Sequence, residues 1–364
     1  MSDFYSEEDA QLAASVDRFV RQNPAEEATR DTGDRTSAVW RELAELGWLF
    51  SPIPEQDGGL GGSPLQTAII AEGLGRALAP HAYPECVVSA APLVSGTDSR
   101  LLADVGAGEA LVAAAFDEAP DERANRPKIE LRKSQPDRIA LSGSCKRVLS
   151  GDRADHLIVA AVDPSTRDTL LVLVPANTSG VERKTVLLLD GRSAADITLT
   201  DVELPSTNVL RRGREADEAV ARARSYGALA VCAEAVGAMS GALGVTRGQL
   251  ETRHQFGAAI GANQVLRHRF ADMHSEIEQA RSAVFGLAAS IGDLAANERD
   301  RAVSLVKARV SKASRYIGEQ SIQLHGGIGM TDEHVIGRFY KRLLVLETMF
   351  GDRTHHLRLI AASY

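Results

Sequence analysis

The period of the apolar residues changes twice along this chain of 364 residues, from helical to strand-like and back, which confines it to an α+β architecture. In the first stretch Leu12, Val16, Phe19 and Val20 share a helical face, as do Trp40, Leu43 and Leu46, and then Ile70, Leu74 and Leu78. From about 110 to 210 the runs shorten: Leu111 to Phe116, His156 to Ala161, Thr169 to Val174 and Ile197 to Leu204 are β-rich and set apart by Gly, Pro, Asp and Ser. After Gly213 the helical period returns, broken at Gly257 to Ala262 and at Gly326 to Gly329. The reading is an N-terminal helical domain (1–108), a middle antiparallel β domain (109–212) and a C-terminal helical bundle (213–364).

Pro52 to Gly62 is dense in proline and glycine and predicts a tight, exposed loop between helices rather than a phosphate cradle, since no strand precedes it. Asp117 to Lys128 is polar and contains proline, and predicts a loop at the sheet's edge. The helix expected over Gln264 to Ala289 is apolar on more than one face, which implies burial against neighbours and hence an oligomer.

A net charge of −8 argues against a nucleic-acid partner or an anionic membrane surface. Cys86, Cys145 and Cys232 are odd in number and far apart, with no Cys-x-x-Cys pair, so a reducing, cytoplasmic setting is expected. No apolar run approaches the roughly 20 residues of a membrane span, and the acidic start Met1-Ser2-Asp3 is unlike a basic export signal. Adjacent His355 and His356 point about 100° apart on a helix, so no metal site is expected there.

Three segments resemble the acyl-CoA dehydrogenase family. The first joins Trp40 to the Pro-Glu-x-x-Gly-Gly-x-Gly loop ending at Gly61, followed by Glu72-Gly73-Leu74-Gly75-Arg76-Ala77. The second is Arg253-His254-Gln255-Phe256-Gly257 with Gln264 downstream, and the third is Gln323-Leu324-His325-Gly326-Gly327-Ile328-Gly329. The resemblance implies an FAD cofactor and an acyl-CoA substrate. It assigns cofactor contacts to Arg253, Gln255, Phe256, Gln264, Gln323, Gly326 and Gly327. Chemically, a guanidinium offers paired donors to a diphosphate, and glycines let backbone amides approach it.

Family members remove an α-proton from the thioester with a glutamate while the β-hydrogen leaves as hydride to the flavin, giving a 2-enoyl-CoA. That glutamate usually precedes the glycine of a Glu-Gly-Thr; here the triplet is Phe350-Gly351-Asp352. A second family location aligns with Gly227 and Ala228, which also carry no acid. The flanking segments Phe116 to Pro120 and Val148 to Gly151 stand where the family borders its flavin, with altered side chains.

Cys232 to Met239, Phe339 to Leu343 and Phe350 to Arg358 are similar to the small subunits of two-component bacterial acyl-CoA dehydrogenases, the pimeloyl-CoA enzyme among them. That likeness implies a larger homologous partner subunit supplying the base, and an electron-transfer flavoprotein or equivalent acceptor. The sequence leaves open a self-sufficient enzyme using Glu347 or Asp352, a flavin-free scaffold, and an oxygen-activating flavoenzyme of the same architecture. The residues predict an ion pair for Glu347 at a helix end and a cap for Asp352.

Overall fold

A computed structural model describes residues 5–27, 32–116, 129–135, 137–255, 257–331 and 333–363. The opening helices are α1 (Glu7–Gln22), α2 (Thr32–Glu45), α3 (Pro64–Arg76) and α4 (Ser99–Gly106), with a π-helical segment at Tyr83–Ala90. Eight strands follow: β1 (Val112–Ala115), β2 (Ile129–Gln135), β3 (Arg138–Leu149), β4 (His156–Val162), β5 (Thr169–Pro175), β6 (Val181–Leu187), β7 (Ser193–Pro205) and β8 (Val209–Arg212). The chain closes with α5 (Gly213–Thr252), a hairpin of β9 (His254–Gln255) and β10 (Ala258–Ala259), then α6 (Gln264–Ser290), α7 (Ala296–His325), α8 (Val335–Thr348) and α9 (Arg353–Ala362). The described residues divide into two units, one drawn from Met1–Thr36, Pro64–His81 and Ala228–Tyr364, the other from Ser37–Ser63 and Ala82–Gly227.

In the second unit the sheet runs β6-β7-β3-β2-β4-β5-β8, with β1 added on β4. The antiparallel expectation holds for five ladders, while β1 and β2 run parallel to β4, making the sheet mixed. β4 and β5 are apolar without alternation because they are buried almost end to end, Leu157, Val159, Leu170 and Val172 among them. At the sheet's edge β6 is exposed and carries Glu182, Arg183 and Lys184, charges that discourage pairing with another chain. The π-helical segment Tyr83–Ala90 is wholly buried and packs against β1. The loop expected at Asp117 to Lys128 lies outside the described residues.

The Pro52 to Gly62 loop is tight, as expected, but only partly exposed: Leu60 is open to solvent while Ile53 and Asp57 are buried. Gly59 lies so close to Ile53 that a Cβ would sit 2.1 Å from its carbonyl oxygen. Asp57 anchors the loop by accepting from the Ser95 hydroxyl, the Gly96 amide (3.1 Å) and the Ser99 hydroxyl (3.2 Å). The Ser95 bond, ahead of the other donors, holds the Asp57 carboxyl below the usual carboxylate range. A carboxyl with a depressed folded pKa stabilises the fold above its ordinary pKa and loses that contribution as pH falls. Asp57→Ala is expected to cost about 1–3 kcal/mol in urea denaturation at neutral pH, and less in acid.

In the first unit α1 starts from a reciprocal cap, the Asp9 amide donating to Ser6 Oγ and the Ser6 amide to Asp9 Oδ2, each at 3.1 Å. The helices α3 and α5 cross at backbone contact. A Cβ on Gly75 would lie 2.0 Å from the Glu234 carbonyl oxygen, and one on Gly237 1.8 Å from that of Glu72. At this crossing Glu234 is fully buried, and Arg342 of α8 donates to its Oε1 at 2.7 Å, with His81 Nε2 at 3.5 Å. By length and composition alone α5 could cross a membrane, contrary to the expectation that no apolar run is long enough, but 72% of its apolar window is buried inside the fold.

Candidate functional site

The end of α5 sets up the first cluster. The Arg253 amide closes the helix on the Gln249 carbonyl, and the chain turns back at Gly257 (φ +83°) so that the Ile260 amide meets the Arg253 carbonyl. Gln255 stands exposed on this hairpin, and Gln264 exposed at the head of α6, where Asn263 caps the helix. Phe256 lies outside the described residues. At the end of α7, Gln323, Gly326 and Gly327 are exposed, and Gly326 takes φ +64°, a left-handed value that suits glycine.

Arg253 Nη1 donates to the His325 carbonyl at 3.2 Å, a cation on the negative end of a helix. The Arg253 guanidinium, the last turn of α7 and the two glycines therefore form a single corner, on which Arg253, Gly326 and Gly327 are exposed. Gln255 and Gln264 adjoin it through the hairpin and α6. These residues fit a nucleotide diphosphate: Arg253 keeps further N–H donors beyond the one on His325, and a Cβ on Gly327 would meet nothing within 4 Å, so its backbone is open to approach.

The second cluster surrounds the end of α8. Glu347 pairs with Arg315 of α7 at 2.8 Å, and Asp352 caps α9 by accepting from the His355 amide at 2.7 Å. Each acid thus has the structural employment that its position predicts. Between them Phe350, buried, holds φ +55° and Gly351 φ +98°. For a bulky residue the left-handed conformation is a strained one that its surroundings must impose. Two buried groups do so: Lys307 Nζ donates to the carbonyls of Leu346 (3.0 Å) and Glu347 (2.8 Å), and His356 Nε2 donates to that of Phe350 (3.0 Å). Neither role is legible locally, because nothing in the surrounding pattern distinguishes Lys307 or His356 from a solvated residue.

Burial, then the Lys307 charge, pushes the His356 imidazole down from its ordinary 6.5 to about 4. Between these values the unfolded chain binds the proton that the native state refuses, so stability rises with pH and falls on acidification from about 6.5 to about 4. The loss is expected to reach roughly 3 kcal/mol. It should appear as a lower urea midpoint in acid that His356→Gln, which has no proton to gain, largely removes. On α5, Gly227 and Ala228 are buried and offer no acid, and Glu234 farther along is committed to Arg342.

The acyl-CoA dehydrogenase N-terminal domain matches residues 6–98, and the C-terminal domain of the same family matches residues 218–364. The chain belongs to the acyl-CoA dehydrogenase family. Among curated relatives, acyl-CoA dehydrogenase IpdE2 of Mycolicibacterium smegmatis is 28% identical over 98% of this chain and 99% of its own length. Among solved structures, the ChsE4-ChsE5 complex from Mycobacterium tuberculosis superposes with a TM-score of 0.85 at 22% identity, covering 99% of this chain and 97% of that one. A Tcur3481-Tcur3483 steroid ACAD variant gives 0.84 at 24% identity, covering 98% and 97%. At such identities the structural likeness speaks for the fold. An acyl-CoA dehydrogenase is an oxidoreductase acting on acyl-CoA with FAD as cofactor, and the Arg253 corner is where this chain's own residues suit the nucleotide part of that cofactor.

Proposed function

We propose that this chain is the base-less subunit of a heteromeric acyl-CoA dehydrogenase, helping to hold FAD while a homologous larger subunit supplies the glutamate. The observation that carries this reading is the second cluster: Glu347 and Asp352, the acids nearest in sequence to the Phe350 that replaces the glutamate expected from the family resemblance, are an ion pair and a helix cap. A self-sufficient enzyme would have to free Glu347 from Arg315 or pull Asp352 off the head of α9. The scaffold reading has less support, because Arg253, Gly326 and Gly327 still form a corner that suits a diphosphate.

In the reaction, the partner's glutamate removes the α-proton of the thioester, and the enolate is stabilised by donors to its carbonyl oxygen. When bound, FAD supplies the acceptor for the β-hydrogen. This chain's part is to fix the nucleotide through Arg253, with Gln255, Gln264 and Gln323 on the neighbouring segments, and to pass electrons on to an electron-transfer flavoprotein or equivalent. Likeness to a steroid ACAD supports a bulky, ring-derived acyl group, and likeness to a complex of paired chains supports a hetero-oligomer. Resemblance to the pimeloyl-CoA small subunit points the same way.

The test is flavin absorbance and acyl-CoA oxidation with an artificial acceptor, for the chain purified alone and after co-expression with a larger homologous chain. Turnover that appears only with the partner supports the reading, and turnover by the chain alone overturns it.

A further inference from the structure

At the end of α7 the His325 ring is fully buried, and its two nitrogens differ. Nδ1 lies 2.7 Å from the Ser321 carbonyl, which can only accept, so Nδ1 carries the proton. Nε2 of the neutral ring is then a bare lone pair, and no donor among the described residues reaches it. A buried acceptor left without a donor costs about 1–3 kcal/mol, and one that persists calls for an explanation. The ring of His334, half-buried at the head of α8, lies with its centroid 4.9 Å away and tilted by 57°. Its Nδ1 accepts from the Ile336 amide at 3.2 Å, so its own proton sits on Nε2.

Arg253 is bonded to the His325 carbonyl, Glu26 faces His334, and Arg338 of α8 donates to the carbonyls of Ala25 and Glu26. Burial foremost, joined at His325 by the neighbouring His334 and Arg253, holds both imidazoles below their ordinary range. The pair is therefore neutral at pH 7, with room for one more proton and an acceptor waiting for it.

We propose that Arg253, His325 and His334 form a proton-linked anion site, in which the imidazole pair takes up a proton from solvent when the diphosphate of a dinucleotide cofactor docks on Arg253. The anion cancels the guanidinium charge that opposes a second cation beside it. The added proton supplies the donor that the His325 Nε2 lacks. By linkage, what favours the proton with anion bound also favours the anion with proton bound, so cofactor affinity must rise as pH falls. This rests on the reading of the Arg253 corner as the FAD site, and adds two residues and a proton to it.

Calorimetric titration of FAD into the flavin-stripped protein, kept with any partner it retains, in two buffers of different ionisation enthalpy, counts the protons taken up. Wild type is expected to take up a fraction of a proton per FAD near pH 7 and to bind severalfold tighter at about pH 6 than at about pH 8. His334→Gln should bind without uptake and with a flat pH profile, weaker than wild type only at the acid end. His325→Gln should behave alike if it folds. FAD binding with no proton uptake by wild type, or uptake that survives in His334→Gln, overturns this inference alone. No FAD binding by wild type overturns the FAD site along with it.

Discussion

Glu347→Gln and Asp352→Asn, introduced singly into the assembled enzyme, are each expected to leave kcat within about threefold of wild type. Loss of the partner's glutamate should lower it by roughly 10²- to 10⁴-fold. The contrast follows from what each acid is doing. Glu347 faces an Arg315 that is 54% exposed, and such a pair is worth at most about 1 kcal/mol, so neutralising it perturbs α8 little. Asparagine caps a helix as well as aspartate does, so Asp352→Asn keeps α9 in place. A general base behaves otherwise, because its loss removes proton transfer in the transition state while folding and cofactor content stay intact. Steady-state turnover together with flavin content separates these cases. If Glu347→Gln retained its flavin and lost turnover a hundredfold or more, roughly the effect of removing a base, then the acid would lie within this chain and the split-site reading would fail.

Much of the architecture could be read from period alone, and the exceptions have physical causes. The helix expected over Gln264 to Ala289 is α6, which spans Gln264–Ser290, because its apolar spacing is uninterrupted and Asn263 caps it. The strands at His156 and Thr169 were legible because burial of nearly every residue leaves an unbroken apolar run. Only the end of β3, at Val148 and Leu149, is legible in the sequence, because its alternation is broken by irregularities after Leu141 and after Cys145, where Gly143 takes φ +141° and Arg147 φ +54°. β6 is not legible because an exposed, charged edge strand reads like a loop. Leu46, placed on one face with Trp40 and Leu43, is exposed, since α2 ends at Glu45 and Gly47 turns the chain at φ +73°.

The site was legible in a different way. The motifs around Arg253 and Gln323 announced a nucleotide corner, but nothing local shows that Arg253 seats on the carbonyl of His325, 72 residues away. His325 lies inside the Gln323 to Gly329 motif, which does not single it out, since the state of its Nε2 depends on Ser321 and His334 together. Lys307, Arg342 and His356 likewise owe their roles to partners on other helices. Spacing reveals which face a residue occupies and never which distant group will meet it.

Gly237→Val is expected to lower stability by about 4 kcal/mol or more, whereas Gly244→Ala on the same helix should be neutral or slightly stabilising. Both glycines sit in the interior of α5, where helix propensity favours alanine over glycine by about 0.5–1 kcal/mol. Their surroundings decide the sign. A Cβ on Gly237 would lie 1.8 Å from the Glu72 carbonyl oxygen and 2.9 Å from the Arg76 amide nitrogen, both backbone atoms of α3 that cannot swing aside. A Cβ on Gly244 would meet nothing within 4 Å. Relief at Gly237 requires α3 and α5 to separate, which would uncover Ile70 and Leu74, both at 0% exposure, and disturb Glu234 where it holds Arg342. Breaking a buried ion pair in that way costs about 3–5 kcal/mol, so the helices have no inexpensive route apart. Thermal unfolding of the two variants beside wild type is the measurement, with a fall in Tm of roughly 5 °C or more expected for Gly237→Val. Equal Tm values would mean that the two helices can part without loss, and that the close crossing does not hold α3 to α5.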